Sequence, residues 1–528
     1  FTLFRLGSYD LQVDEGRFGL SAINILSDSR QLAIVSQKPL GRPGRMPYMY
    51  PLALAASISA LGKNEFALRA VNAIGLAVAA LFVYRLVGIL LKERAVALLT
   101  FGFFLLNPGT ITYARNVMAE PFVVVWGCVA LFAVAKFCEE KRLLWAALCG
   151  LALGFGFLTK LWLVLPFVLG CFVFLSAKVF AGHKGKRRLI HGAGLALLVF
   201  LIVSASHLFL VLLLAPEFFS HWSQTYYVHT FKSRIAGGGY DPAMWYRPWW
   251  FYLAAFFKAS FFGLPLVVLG VQALAKRQSL TLTALLASLL SPLLVLSLFQ
   301  VKQASYIFPV FPALALLLAV GCVHLFRDAQ RKELVLAALF SIAVSAFFFT
   351  KEVFQLREWV GILVLYLLYF AVAFGGAQYK NLTRGMLLIG LVSALLFSGV
   401  VVVRNTLRHR TYFREIAAYF KPQLQSKKPQ DAIFISPEYP AMEFYTFRGG
   451  EYWETYYFHK STSEFVRDLQ GGTKLFYVVD PLGVLYGGKI SPEKLKALYE
   501  YAVDVTPEIE RSIGGKIPVQ VFVPIEKR

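Results

Sequence analysis

The sequence predicts an all-α protein with many membrane spans, followed by a small α/β domain outside the membrane. Hydrophobic residues make up 58% of its 528 residues, and the mean hydropathy is +0.61, well above the values of ordinary soluble domains. Apolar runs that approach the roughly 20 residues needed to cross a bilayer recur along the chain. The tail after residue 404 instead contains short apolar segments and one amphipathic stretch.

Charged residues divide the chain into about twelve candidate spans. They lie near residues 65–91, 95–111, 118–137, 143–158, 161–180, 189–214, 251–275, 280–299, 305–326, 334–350, 359–377 and 385–403. The sequence opens on Phe1, without a Met and without an apolar run before the acidic pair of Asp14 and Glu15. We therefore also expect a first helix that precedes this sequence.

The positions of the basic residues predict the orientation in the membrane. The net charge is +23, and alternate connections such as "LKER" and "AGHKGKRR" carry two or more basic residues each, while the others carry isolated ones. By the positive-inside rule the first set is cytoplasmic, which places residues 1–64, the long loop 215–250 and the tail outside. We expect a multi-pass protein of the inner (plasma) membrane and no nucleic-acid partner, because these charges mark topology.

The tail predicts a domain of its own. Residues 1–404 form the predicted transmembrane domain, and residues 405–528 a soluble extracytoplasmic α/β domain. In the tail, "DAIFIS", "KLFYVVD" and "VQVFVP" are typical of short buried strands. The stretch "SPEKLKALYEYAV" predicts an amphipathic helix that Ser491 would cap ahead of Pro492.

Asp14 and Glu15 form an acidic pair near the start of the chain, in the stretch "VDEGRFG". Adjacent carboxylates disfavour each other's ionisation, and partial burial raises their pKa values further. One of them could therefore act as a base on a hydroxyl or an amine. A solvated turn at the membrane interface is the alternative for an isolated acidic pair.

A second polar set lies in "YARNVMAEPF", where Arg115 and Glu120 stand at the outer start of a predicted span. A helix N-terminus favours an anionic group at this place. A helix cap or a structural salt bridge is the alternative interpretation of the two residues.

Three cations on the predicted outer side suit a phosphate group. Arg45 lies in "RPGRMPYMYP", Lys160 in "GFGFLTKLWLVLP" and Lys302 in "FQVKQASYIFP". Arginine offers a two-pronged donor to phosphate, and a diphosphate or phosphate-sugar ligand needs several cations. Anchoring of these side chains among lipid headgroups is the alternative.

The long outer loop combines histidines, Arg234, three glycines and many aromatic residues. The aromatic residues fit a sugar face or the interfacial belt, and the glycines could hinge a lid. His221 and His229 together with Glu120 are metal-ligand candidates, although two histidines eight positions apart are not a recognised ligand spacing.

Taken in order, these motifs resemble the membrane glycosyltransferases of the GT-C superfamily, in particular bacterial relatives of protein O-mannosyltransferases and of the lipid A aminoarabinose transferase. "VDEGRFG" is similar to the Asp-Glu motif of their first outer loop, and "YARNVMAEPF" to their second acidic motif. "GFGFLTKLWLVLP" and "KQASYIFPVFPALALLLA" resemble their later lysine segments. The resemblance covers residues 9 to about 325.

The resemblance implies a GT-C fold of about thirteen spans and a role for each motif. It makes Asp14 the catalytic base or acceptor-orienting carboxylate, supported by Glu15, with Glu120 across the cavity. Arg45 takes the position of the lysine in the relatives' Lys-Pro-Pro-type motif, although two adjacent prolines are absent here. The residues expected to bind the substrate or its lipid phosphate are Arg45, Arg115, Lys160, Arg234, Lys302 and Tyr306.

The expected activity is inverting transfer of a sugar from a polyprenyl-phosphate carrier to an extracytoplasmic lipid, glycan or protein. Membrane lipid is a further expected partner. No cofactor is required in this hypothesis, and a divalent metal is optional because side-chain cations can meet the phosphate charge.

Two other classes of function remain open at this stage. A transporter or flippase of a lipid-linked or anionic substrate would normally carry ionisable residues near the middle of its spans. Here Arg69, Arg85 and His207 come nearest to that position. A membrane assembly protein whose tail binds a partner is the non-catalytic alternative.

Overall fold

The chain is mostly helical wherever the computed structural model describes it. The described residues are 6, 11, 13–35, 47–180, 186–220, 247–248, 250–260, 263–276, 280–299, 302–327, 329–349, 400, 403, 412–426, 444–445, 461–471, 476–479 and 490–525.

The helices before the tail are, in chain order, α1 (Val13–Ser27), α2 (Gln31–Ile34), α3 (Met49–Leu61), α4 (Glu65–Leu91), α5 (Arg94–Leu106), α6 (Pro108–Ala114), α7 (Ala119–Glu140), α8 (Leu143–Phe157), α9 (Leu165–Phe180), α10 (Lys186–Leu214), α11 (Phe251–Ser260), α12 (Leu264–Lys276), α13 (Leu280–Ser297), α14 (Phe311–Arg327) and α15 (Arg331–Phe349). Two 3₁₀ helices, Pro216–Phe218 and Ala304–Val310, lie between them.

Several of these helices can cross a bilayer. Within the described residues, α4, α7, α10 and the segment Ser305–Arg327 are long and apolar enough, and α5 with α6 would add a fifth if that pair forms one span. The predicted spans between residues 65 and 350 all fall on helices. Those at 359–377 and 385–403 lie almost entirely outside the described residues, so the number of crossings stays a prediction.

Two predicted spans are each divided into two helices. The span expected at 95–111 breaks into α5 and α6, which meet at an angle of 59°. Asn107 ends α5 and caps α6, since its side chain accepts a hydrogen bond from the Gly109 amide at 2.8 Å and Pro108 occupies the first helical position. The span expected at 251–275 consists of α11 and α12.

Close helix packing depends on two glycines between α12 and α14. A Cβ on Gly270 would lie 2.2 Å from the Leu317 carbonyl oxygen, and one on Gly321 would lie 1.9 Å from that of Leu266. Both obstacles are backbone atoms, which cannot move aside as a side chain can. Small residues that let backbones approach are typical of helix pairs in membranes.

The described part of residues 1–64 is largely helical. It contains α1, α2 and α3, and α1 packs against α3. The acidic pair therefore lies in the first turn of a helix.

The tail contains a small antiparallel sheet flanked by helices. Its helices are α16 (Phe413–Tyr419), α17 (Lys421–Ser426), α18 (Thr462–Gly471), α19 (Pro492–Tyr501) and α20 (Thr506–Ile513), and its strands are β1 (Tyr477–Val479), β2 (Ala502–Asp504) and β3 (Gln520–Pro524). β3 is central, with Val478 opposite Val521 on one side and Val503 opposite Val523 on the other.

The tail predictions are confirmed in part. β1 and β3 fall within the predicted strands, and the Ser491 hydroxyl caps α19 by accepting from the Lys494 amide at 3.3 Å. The helix ends at Tyr501 rather than at Val503, because Ala502–Asp504 pairs with β3. The third predicted strand, at 431–436, lies outside the described residues.

One hydrophobic core joins the tail to helices α1 and α3. Its buried residues include Phe18 of α1, Tyr50 of α3, Phe413 of α16, Val521 of β3, and Phe444. The tail therefore packs directly on the helix that carries the acidic pair.

Candidate active site

Glu15 forms a buried ion pair with Arg69, which lies on α4. Arg69 donates from Nε to Oε1 of Glu15 at 2.9 Å and from Nη2 to Oε2 at 2.8 Å. The side chains are 3% and 0% exposed, respectively. This two-pronged geometry is the strongest that arginine makes with a carboxylate, and in a buried pair each charge needs the other.

Glu15 and the neighbouring Asn72 together hold the turn between α6 and α7. The Val117 amide donates to Oε1 of Glu15 at 2.9 Å. From α4, Asn72 donates through Nδ2 to the carbonyl oxygens of Asn116 at 2.6 Å and Met118 at 2.8 Å. The start of α1, one face of α4 and residues 116–118 are thus joined by hydrogen bonds.

Asp14 precedes Glu15 in the first turn of α1, so its backbone is fixed by the contacts of its neighbour. The Asp14 side chain lies outside the described part of the structure. Its role as the base stays a prediction, and so does the supporting role of Glu15, whose contacts are those of an anchor.

Glu120 and Lys160 form a second buried ion pair, which sequence analysis did not connect. Lys160 Nζ lies 2.7 Å from Oε1 of Glu120, and the Ser305 hydroxyl donates to the same oxygen at 3.0 Å. Glu120 lies in the first turn of α7, whereas Lys160 follows α8. Residues separated by 40 positions thus neutralise each other in a buried site.

Two aromatic rings enclose the Lys160 ammonium. Its Nζ lies 4.9 Å from the ring centroid of Tyr306 and 5.4 Å from that of Trp162. The two rings meet edge to face with centroids 4.1 Å apart, and both are fully buried. A cation over ring faces is attracted by the π electrons, so the Tyr306 ring helps to hold the Lys160 ammonium in place.

The two ion pairs lie at opposite ends of one short segment. Glu15 binds the Val117 amide, and Glu120 stands three residues further on. Arg115, at the end of α6, is fully buried. Tyr50 is also fully buried, and its ring contacts Phe18 and Phe122 at centroid distances of 5.0 and 5.6 Å.

Lys302 is held by backbone carbonyls. Its Nζ donates to the carbonyl oxygen of Arg247 at 3.2 Å and to that of Phe299. Burial lowers the pKa of Lys302. Its predicted role in phosphate binding stays a prediction.

Four predicted site residues, Arg45, His221, His229 and Arg234, lie outside the described residues. Where the structure does describe the chain, no group of three histidines, cysteines or carboxylates could hold a metal ion. The Glu120 carboxylate, the one described member of the candidate metal set, is bound by Lys160 and Ser305.

Sequence reasoning missed Arg69, Asn72, Ser305 and Tyr50 as site residues. A signal existed for Arg69, because an ionisable side chain inside an apolar helix usually serves a function or binds a partner. Tyr50 and Ser305 stand in motifs that were singled out for a neighbouring cation.

Comparison with known proteins identifies relatives of the chain. Residues 45–208 match the family described as dolichyl-phosphate-mannose-protein mannosyltransferase. The undecaprenyl phosphate-alpha-4-amino-4-deoxy-L-arabinose arabinosyl transferase of Pectobacterium carotovorum subsp. carotovorum (strain PC1) is 28% identical over 303 residues, which cover 54% of this chain and 52% of that protein. The enzyme named arabinosyl transferase 2 from Pseudomonas fluorescens (strain Pf0-1) is 29% identical over 351 residues, 64% of this chain and 61% of its own. The chain spans about half the length of the Pectobacterium relative.

Solved structures extend the likeness to the whole chain. ArnT from Cupriavidus metallidurans bound to undecaprenyl phosphate matches with a TM-score of 0.67 and 16% identity, over 100% of this chain and 96% of ArnT. The chain has the GT-C glycosyltransferase fold. The archaeal oligosaccharyltransferase AglB from Archaeoglobus fulgidus, in complex with an inhibitory peptide and a dolichol-phosphate, matches with a TM-score of 0.56 and 11% identity, over 91% of this chain and 67% of AglB.

The resemblance expected from the motifs is thus confirmed, together with the GT-C fold. The family match includes Glu120 and Lys160 but begins after the acidic pair. The structural likeness to ArnT covers Asp14 and Glu15 as well, because it extends over the whole of this chain.

Proposed function

We propose that the protein is an integral membrane glycosyltransferase that moves a sugar from a polyprenyl-phosphate carrier to an acceptor outside the cytoplasm. The observation that carries the proposal is the buried Glu15–Arg69 pair. It fixes the backbone of Asp14 beside the segment that leads to Glu120. The names of the relatives support a donor linked to undecaprenyl phosphate.

Asp14 acts as the base in this proposal. Its carboxylate takes the proton of an acceptor hydroxyl or amine while the acceptor atom attacks the anomeric carbon. The new bond forms as the bond from that carbon to the phosphate oxygen breaks, and the phosphate leaves with the electron pair. Attack opposite to the leaving group inverts the anomeric carbon. The acceptor proton ends on Asp14, so atoms and charges balance.

Cations stabilise the leaving phosphate. Arg45, Lys160 and Lys302 are the proposed groups, and Glu120 with Ser305 fixes the Lys160 ammonium before the donor arrives. Charges that are already in place need no reorganisation when the phosphate leaves. A divalent metal is not a required part of this proposal.

The donor and the acceptor reach the site from the extracytoplasmic side of the inner membrane. The polyprenyl tail lies in the lipid, and the acceptor enters from the water. The shared core of α1 and the tail supports this placement, because it joins the acidic pair to the tail, which we propose lies outside the membrane.

Reconstitution tests the proposal. The full chain in proteoliposomes is incubated with labelled undecaprenyl-phosphate-linked 4-amino-4-deoxy-L-arabinose or polyprenyl-phosphate mannose, together with an envelope lipid and glycan fraction. Transferred label and released polyprenyl phosphate are measured. We expect both from the unmodified chain and neither from Asp14→Asn. Asp28→Asn is the matched control, because Asp28 lies just beyond the far end of α1.

Each outcome decides between the open functions. Equal transfer by Asp14→Asn would remove Asp14 from the role of base. Movement of intact donor across the bilayer without release of polyprenyl phosphate would instead support the transporter.

A further inference from the structure

Two adjacent tail residues, Phe444 and Tyr445, contact α1 and the chain just before it. Phe444 is 2% exposed and fills the space beside α1 and α4. A Cβ on Gly19 would lie 2.7 Å from its ring, so the glycine is required for this close contact. Lys63 Nζ lies 5.1 Å from the same ring centroid. Phe444 thus anchors this part of the tail.

Tyr445 makes the specific contacts. The Leu11 amide donates to the Tyr445 hydroxyl at 3.0 Å, and this hydroxyl donates to Oε1 of Glu65 at 2.9 Å. A phenol can accept and donate at the same time, so both bonds form together. Arg414, also from the tail, lies 3.3 Å from the same Glu65 oxygen through Nη1.

These contacts bracket Asp14. Leu11 stands three residues before Asp14, and Glu15 directly follows it. Both neighbours are held by α4, Leu11 through Tyr445 and Glu65, and Glu15 through Arg69. Glu65 and Arg69 are four residues apart and therefore lie on the same face of α4. The start of α1 is fixed on both sides of the proposed base, and one of the two attachments comes from the tail.

We propose that Tyr445 is a positioning residue for Asp14, and that the extracytoplasmic tail thereby sets the geometry of the reaction. This inference rests on the proposed function. A base that shifts by about 1 Å can lose about 100-fold in rate, so the loss of one hydroxyl at the start of α1 acts on the chemical step. The donor phosphate site is not touched, so donor affinity stays the same.

Tyr445→Phe is the first test, measured on the full chain in proteoliposomes. It removes the hydroxyl and keeps the ring. We expect kcat to fall about tenfold with the donor KM unchanged. In the same protein, hydrogen exchange followed by mass spectrometry is expected to speed up about fivefold over residues 11–18, because one net hydrogen bond is lost. Tyr445→Leu is expected to reduce kcat at least as much.

Tyr499→Phe is the matched control. Tyr499 is an exposed tail residue whose hydroxyl also takes part in one side-chain bond, from Gln520 at 2.8 Å. Its variant is expected to keep the kcat of the unmodified chain and its rate of hydrogen exchange over residues 11–18.

Glu65→Gln removes the charge that Tyr445 and Arg414 bind, and is expected to reproduce the Tyr445→Phe result.

The readouts separate this inference from the proposed function. Unchanged kcat in Tyr445→Phe, with or without faster exchange, would overturn the positioning role. A rise in the donor KM as large as the expected fall in kcat would also overturn it, because the defect would then lie in donor binding. If the unmodified chain released no polyprenyl phosphate, the proposed function would fail, and the exchange data alone would decide whether the tail fixes the start of α1.

Discussion

Glu15 and Arg69 are 54 positions apart in the sequence, and the guanidinium of Arg69 binds both carboxylate oxygens of Glu15 away from water. The pair joins α1, which carries the proposed base, to the longer helix α4. Removing one partner of a buried ion pair leaves an uncompensated charge, whereas removing both does not. This asymmetry gives the pair a testable signature.

Arg69→Gln is expected to lower the free energy of unfolding by about 3 kcal/mol and to abolish transfer. The double variant Arg69→Gln with Glu15→Gln is expected to recover part of that stability, since no buried charge is left, but not the activity. Unfolding is followed by tryptophan fluorescence in detergent. Arg142→Gln is the control, because the Arg142 side chain is 76% exposed. Equal losses from Arg69→Gln and Arg142→Gln would contradict the buried pair.

The pair between Glu120 and Lys160 predicts a strong energetic coupling. In a double-mutant cycle with Glu120→Gln and Lys160→Met, we expect a coupling energy of about 2 kcal/mol or more in thermal unfolding. The exposed pair of Arg30 and Glu217 provides the control cycle, with an expected coupling of about 1 kcal/mol or less. If the two cycles gave the same coupling, Glu120 and Lys160 would not form the buried pair described above.

Local signals explain what the sequence could predict. The apolar runs between residues 65 and 350 fall on helices, because hydrophobicity over about 20 residues is a local property. The prediction that Ser491 caps α19 is confirmed, and it depends only on neighbouring residues, since the Ser491 hydroxyl accepts from the Lys494 amide three positions later. The break at Asn107 also carried a local signal, an asparagine cap followed by proline, which the long apolar run concealed.

Contacts between distant residues explain what it could not predict. Lys160 was identified as a cation and Glu120 as a carboxylate, but only the packing of α7 beside α8 brings them together. The sequence predicts Ala502 and Val503 as the end of helix α19, because their strand partners in β3 follow about twenty residues later. In both cases the residue types are visible in the sequence, but tertiary structure decides their partners.

The glycine contact between α12 and α14 predicts that one methyl group is damaging. In Gly321→Ala, the added Cβ would lie 1.9 Å from the Leu266 carbonyl oxygen, so the two helices must separate. We expect the free energy of unfolding to fall by about 3 kcal/mol or more. The matched control is Gly102→Ala in α5, where nothing lies within 4 Å of the added atom. It is expected to be neutral or to stabilise by up to about 1 kcal/mol. Equal stability of the two variants would show that the helices are not packed this closely.

The aromatic enclosure of Lys160 predicts that the ring of Tyr306 contributes to donor binding. A desolvated cation over an aromatic face gains about 2 kcal/mol, and this attraction keeps the ammonium where the proposed leaving phosphate would meet it. Tyr306→Leu removes the ring face and is expected to raise the donor KM about tenfold. Tyr306→Phe keeps the ring and is expected to cause a smaller rise. Steady-state transfer at varied donor concentration measures both. If phenylalanine were as harmful as leucine, the hydroxyl would matter rather than the ring face. If neither variant changed the KM, Lys160 would not contact the donor, and its pair with Glu120 would be purely structural.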